Sequence, residues 1–279
     1  MFIAKTISEV RQQRGVEPDA SWGLVPTMGF LHEGHLSLIR QAKAENDRVA
    51  VTIYVNPTQF GPQDDFDSYP RDLERDLDTL RQEEVDLVFT PSDKVMYPEG
   101  FETAVTVQYL TNRLEGAARP THFQGVTTIV AKLFNLIQPR RAYFGQKDAQ
   151  QTIILRRMVQ DLNFNLELII CPTVREADGL ALSSRNKYLN PAQRQAATVL
   201  YRALQAAQTA YDSGERRGQP LRQIMTETVT AEPLARLEYV SVAHPHTLFE
   251  LDDINGDALL SLAVRIGNTR LIDNILLPQ

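Results

Sequence analysis

The sequence predicts an α/β fold, a Rossmann-like open parallel sheet with helices on both faces, followed by a smaller C-terminal α+β domain. Three observations predict it. Short apolar runs alternate with amphipathic helical patterns through the first two thirds of the chain, and that alternation implies parallel strands joined by right-handed crossovers. The second apolar run, Val49 to Val55, is β-branched and hydrophobic enough to be covered on both faces. After Cys171-Pro172 the texture changes to a long polar loop, helical patterns and three isolated strand-like segments.

Taken in order, Trp22-Gly23-Leu24-Val25-Pro26 reads as a buried strand entering a turn, and His35 to Asn46 as a helix carrying Leu36 and Ile39 at helical spacing. Val49 to Val55 is the next strand. Leu73, Leu77 and Leu80 mark a helix with a charged outer face, and Val85 to Phe89 a further strand. The clearest helix carries Val126, Ile129, Val130, Leu133, Phe134 and Ile137 at i, i+3, i+4 spacing, and Pro139 ends it. Ala142 to Phe144, Ala149 to Leu162 and Leu166 to Ile170 follow as strand, helix and strand. Beyond Asn190-Pro191 an alanine- and glutamine-rich helix runs to about Ser213, Gly214 to Pro220 reads as a polar linker, and Leu237–Val242, Leu259–Val264 and Arg270–Ile275 read as strands. The expected domains are 1–172, a Rossmann-like nucleotide- and substrate-binding body, and 173–279, a candidate lid.

The 279 residues are 43% hydrophobic and 23% charged, an ordinary globular balance with no apolar run long enough to span a bilayer. A net charge of −6 argues against general nucleic-acid affinity but not against a small anion held in a cleft. Met1 to Lys5 lacks the features of a signal peptide, and the single cysteine, Cys171, excludes an internal disulfide framework. A cytoplasmic enzyme is the expectation.

Ligands of open parallel sheets sit beyond the carboxyl ends of the strands, and the unusual residues cluster there. Pro26 to His35 lies where the first strand gives way to a helix. Gly29 and Gly34 permit close backbone approach, His32 and His35 stand three apart at a helix start, and the helix N-terminus offers N–H groups. Nucleotide phosphate binding fits this set. A metal pair is the rival use, but no third ligand is evident, and two surface histidines in a turn is the plain alternative. Gly145-Gln146-Lys147-Asp148 follows a second strand, with Lys147 suited to phosphate and Asp148 to ribose hydroxyls. A helix capped by Asp148 would explain the same residues. Leu182-Ser183-Ser184-Arg185 has the hydroxyls and the guanidinium for a phosphate clamp, or forms a polar interdomain linker. Gln59, in Asn56-Pro57-Thr58-Gln59-Phe60, has an amide for a hydroxylated acid. Asp76 lies in an acidic run and is a weak candidate for contacting hydrated Mg²⁺. Cys171 reads as structural.

The His32-Glu33-Gly34-His35 element resembles the signature of the nucleotidyltransferase and class I tRNA-synthetase superfamily. The wording and order of Pro26-Thr27-Met28-Gly29, Leu31 to His35, Asn56 to Phe60, Tyr69-Pro70-Arg71, Phe144 to Asp148 and Arg175 to Asn186 resemble the pantothenate synthetase family more narrowly. The resemblance implies that ATP, pantoate and β-alanine give pantothenate, AMP and pyrophosphate, with Mg²⁺ required. It implies that Met28, Gly29, Phe30, Leu31, His32, Glu33, Gly34 and His35 line the ATP site, with His35 catalytic. Gly145, Gln146, Lys147, Asp148, Val174, Leu182, Ser183, Ser184 and Arg185 would complete nucleotide binding, while Gln59 and Gln151 would hold pantoate. His32, Lys147, Ser184 and Arg185 would join His35 in stabilising the transfer. A homodimer is expected by resemblance alone. The alternatives are an enzyme adenylating a small phosphate ester and a nucleotide sensor without catalysis.

Overall fold

The computed structural model describes residues 1–62 and 64–278. The chain divides into two compact units, Met1–Gly145 with Ile154–Pro172, and Gln146–Ile153 with Thr173–Gln279. Gln146–Ile153 lies before the break expected at 172/173, yet it packs with the second unit.

In the first unit, elements β1 (Phe2–Ala4), α1 (Ile7–Val16), β2 (Trp22–Thr27), α2 (Glu33–Glu45) and β3 (Arg48–Ile53) come first. They are followed by α3 (Leu73–Gln82), β4 (Leu87–Phe89), α4 (Asp93–Met96), α5 (Leu114–Ala118), α6 (His122–Ile137) and β5 (Arg141–Gly145). The part of helix α7 (Ala149–Asp161) from Ile154 onward and β6 (Glu167–Cys171) complete the unit. The six strands are parallel in the order β1-β4-β3-β2-β5-β6. Because side chains alternate along each strand, the sheet feeds two cores. Leu24, Ala50, Leu87 and Phe89 pack with Val10 of α1 and with the apolar stripe of α6, while Val25, Val49, Val51 and Val88 pack with Leu38 and Ile39 of α2 and Leu80 of α3. The α/β class read from periodicity is the observed one. The sequence reading had assigned nothing to β1 and α1. The strand is three residues long and α1 buries Val10 alone, so neither carries a readable period, and β1 exists because it pairs with β4.

In the second unit, α8 (Pro191–Ala196), α9 (Val199–Asp212) and α10 (Gly218–Thr230) precede the antiparallel strands β7 (Ala235–Ala243), β8 (Ala258–Ile266) and β9 (Thr269–Leu277), which pair in that order. Leu260, Leu262 and Val264 of β8 pack on Leu200 and Leu204 of α9 and on Met225 and Val229 of α10. The single helix expected to reach Ser213 is interrupted at Ala197-Thr198, and the expected linker is shorter because α10 already begins at Gly218. A Cβ at Gly218 would stand 1.9 Å from the Leu251 carbonyl oxygen, so a glycine is needed for that approach.

Candidate active site

In the first unit the predicted residues lie on loops leaving the carboxyl ends of the adjacent parallel strands β2 and β3. Gly29 turns the first loop with φ 81°, and Phe30 follows at φ 52°, a left-handed conformation that costs a non-glycine residue about 1–3 kcal/mol unless its surroundings hold it. Those surroundings come from α3. The Asp76 carboxylate, 1% exposed, accepts from the backbone N–H of Phe30 at 2.6 Å and of Leu31 at 2.8 Å. Arg75 donates to the Leu31 carbonyl at 3.1 Å, and its guanidinium lies 5.0 Å from the centre of the Phe30 ring. Burial pushes the Asp76 carboxyl up, opposed by the two backbone N–H groups. Both of its oxygens serve the loop.

His32 is the N-cap of α2, and its Nδ1 accepts from the Gly34 N–H at 3.2 Å. His35 Nδ1 accepts from the His32 N–H at 3.3 Å. The ring centres stand 4.0 Å apart at a tilt of 38°. Since each Nδ1 is an acceptor, each neutral ring carries its proton on Nε2, and both imidazoles are Nε2–H donors. The N–H groups expected to meet a phosphate have other partners: Gly29 donates to Thr27 Oγ1 at 3.1 Å, Phe30 and Leu31 to Asp76, and Gly34 to His32. Met28 and Gly34 are half-buried, and Glu33 is exposed and paired with Arg40.

Gln59 is buried at the end of a 3₁₀ turn, Pro57–Gln59. The turn is built by Asn56, fully buried, whose Oδ1 accepts from Thr58 N and Tyr97 Oη and whose Nδ2 donates to the Gly125 carbonyl at 3.2 Å. The Gln59 carbonyl accepts from Arg119 at 3.1 Å and from His122 Nδ1 at 2.8 Å. His122 thus serves the Gln59 backbone, a role that no local sequence signal marks. A Cβ at Gly125 would meet the Thr58 carbonyl oxygen at 2.4 Å and Gln59 N at 2.8 Å. Gly125→Ala should therefore cost about 1–3 kcal/mol by overpacking and displace the Gln59 turn. A thermal melt reads the first effect, and an unchanged midpoint would contradict this account of the turn.

In the second unit, Gln146–Asp148 forms a 3₁₀ turn and leads into α7, where Gln151 is half-buried. Asp148 is exposed. Val174 and Leu182 are brought together by a backbone bond, Leu182 N to Val174 O at 3.0 Å, which closes a hairpin turned by Gly179 at φ 91°. Leu182 then leads to Ser183, whose Oγ caps the turn Ser184–Tyr188 by accepting from Arg185 N at 3.3 Å. Ser184 itself is buried. Residues that sequence reading missed hold this half: Asn274 binds the carbonyls of Gln146 and Lys147, and Asp273 pairs with Arg175. They lie in a stretch without motif wording, so no local signal marks them. Among the described residues no group of three or more His, Cys, Asp or Glu side chains could hold a metal ion by themselves. Cys171 is buried, and burial pushes its thiol up, away from nucleophilic use.

Residues 2–276 match the family model described as pantoate-beta-alanine ligase. A pantothenate synthetase from Roseiflexus castenholzii is 60% identical over 99% of both chains. The crystal structure of the pantothenate synthetase from Thermus thermophilus superposes with a TM-score of 0.95 at 49% identity, covering 99% of both chains. A pantoate-beta-alanine ligase from Francisella tularensis, solved with beta-gamma ATP and β-alanine, has a TM-score of 0.79 at 36% identity and covers 99% of this chain and 97% of its own. With two stacked imidazoles at the carboxyl end of β2 and a match running from residue 2 to residue 276, the chain belongs to the pantoate–β-alanine ligase family.

Proposed function

We propose that this chain is an ATP-dependent ligase that condenses pantoate with β-alanine to pantothenate by way of pantoyl-adenylate, releasing AMP and pyrophosphate. The observation that carries the reading is the His32–His35 pair, held on a strained loop by Asp76 in a chain that belongs to this ligase family throughout. In the first step a pantoate carboxylate oxygen bonds to the α-phosphorus of ATP as the bond to the bridging oxygen of pyrophosphate breaks. In the second, the free amine of β-alanine bonds to the acyl carbon, the bond to the AMP oxygen breaks, and the amine loses its proton. Neither step needs a covalent enzyme intermediate, which suits a chain whose one thiol is buried.

Such transfers depend on positioning and charge stabilisation. His32 and His35 direct Nε2–H donors at oxygens that gain charge in the transfer. Lys147, Ser184 and Arg185 hold the β- and γ-phosphates, Asp148 accepts from ribose hydroxyls, and Gln59 and Gln151 hold pantoate. Mg²⁺, when bound, neutralises phosphate charge. Among the described residues no cluster would hold the ion by itself, which fits an ion that would keep most of its waters and bind chiefly through substrate phosphates. A homodimer in the cytoplasm completes the proposal.

The test is purified protein with ATP, Mg²⁺ and pantoate, with and without β-alanine, followed by mass spectrometry. About one equivalent of pyrophosphate per active site without β-alanine, then steady AMP and pantothenate after its addition, is the expected result. Binding of ATP with no pyrophosphate under either condition would overturn the reading. Gln59→Ala should raise the pantoate KM about tenfold or more while the ATP KM stays near the parent value. An unchanged pantoate KM would remove Gln59 from the substrate site.

A further inference from the structure

We infer that Asp273 and Asn274, on the last strand, are positioning residues that set the two nucleotide-facing segments of the second unit, Gln146–Asp148 and Leu182–Arg185. The inference rests on the ligase reading for what those segments do, and on geometry for how they are held. Among the described residues strand β9 is an edge strand, paired with β8 alone, and successive side chains point to opposite faces. One dipeptide can therefore serve two segments.

Asn274 takes the turn. Its Nδ2 donates to the carbonyls of Gln146 at 3.0 Å and Lys147 at 2.8 Å, and its Oδ1 accepts from Gln146 Nε2 at 2.9 Å. The side chain is 4% exposed, and each of these bonds spans 127 or 128 residues of sequence. Two consecutive carbonyls held by one amide leave the Lys147 backbone little freedom, so the starting direction of its side chain is set.

Asp273 takes the hairpin. It is 3% exposed and receives a bidentate pair from Arg175, at 2.6 and 2.9 Å, and the N–H of Asn274 at 2.8 Å. The same guanidinium donates to the Gly179 carbonyl at 3.1 Å and lies 4.2 Å from the centre of the Tyr201 ring. It thereby holds the hairpin whose closing bond leads into Leu182 and the Ser184 turn. Burial pushes the Asp273 carboxyl up, and the Arg175 guanidinium opposes it. Fold stability alone does not call for the buried Arg175–Asp273 pair, because well-packed apolar groups of similar volume are often as stabilising.

The test compares Asn274→Asp, which keeps the shape but turns a carboxylate on two carbonyls, with Asn274→Ala, which deletes the donors. Both are expected to raise the ATP KM about tenfold or more and to weaken binding of a non-hydrolysable ATP analogue by a similar factor in calorimetry, with the pantoate KM within about twofold of the parent. Parent-like ATP KM and analogue binding in a folded variant would overturn the inference. So would equal rises in both KM values, or failure of both variants to fold, since either marks a merely structural residue. Analogue binding reads the inference without turnover, whereas loss of the ligase reading would show in the unsubstituted protein.

Discussion

His35→Ala should lower the rate of pyrophosphate release from ATP and pantoate by about 10²–10³-fold, with the melting temperature nearly unchanged. The rate effect follows from the loss of one Nε2–H donor aimed at charge that develops in the transfer, a kind of loss worth about 3–4 kcal/mol when the donor is preorganised. The ring is preorganised twice, by the bond from His32 N at 3.3 Å and by contact with the His32 ring at 4.0 Å. The fold is little affected because His35 is in the first turn of α2 and belongs to none of the three hydrophobic cores. Stopped-assay pyrophosphate measurement together with a thermal melt decides it. Near-parental release from a folded variant would remove His35 from the chemistry.

Asp76→Asn should reduce kcat/KM by about 10²-fold, although Asp76 lies outside every motif read as catalytic. The carboxylate accepts from two backbone N–H groups, and an amide of the same shape offers one oxygen and sets its NH₂ against the other N–H. Each charge-assisted bond is worth about 1.5–3 kcal/mol, comparable to the strain of Phe30 in the left-handed region, so the loop relaxes and the imidazoles lose their placement. The pH dependence separates function from stability. Burial places the folded Asp76 carboxyl above its unfolded value, so the folded chain binds this proton more tightly and the group favours the fold below the unfolded value. That contribution is lost as pH rises through the folded value. The loop, in contrast, needs the ionised form. Activity should therefore decline on acidification above the usual carboxylate range, about pH 4, while protonation of Asp76 by itself adds stability. Asp76→Asn should abolish that acid limb in the residual activity. A limb that persists in the variant belongs to another group.

Much of this molecule was legible before any coordinates. The six parallel strands followed from apolar runs spaced by helical patterns, except β1, whose three residues are too few to show a period. The histidine pair, the Gln59 turn and the serine–arginine turn each sit in a short contiguous phrase that the sequence shows, while the roles expected of them came from the family resemblance. Asp76 was visible only as part of an acidic run, where a solvated helix face explains the composition equally well. The role of His122 as a donor to the Gln59 carbonyl was not legible, because the partner that gives it meaning is 63 residues away.

The sequence by itself determined the class of fold, the family and the phrases that carry the chemistry, because periodicity and motif spacing are properties of near neighbours in the chain. The tertiary structure alone decided what holds those phrases in shape: Asp76 on the N–H groups of Phe30 and Leu31, Gly125 beneath the Gln59 turn, and Asn274 on the carbonyls of Gln146 and Lys147. The physical reason is that a buried hydrogen bond between distant residues is specified by where packing brings two backbones together, and nothing in the local spacing of either partner encodes that meeting.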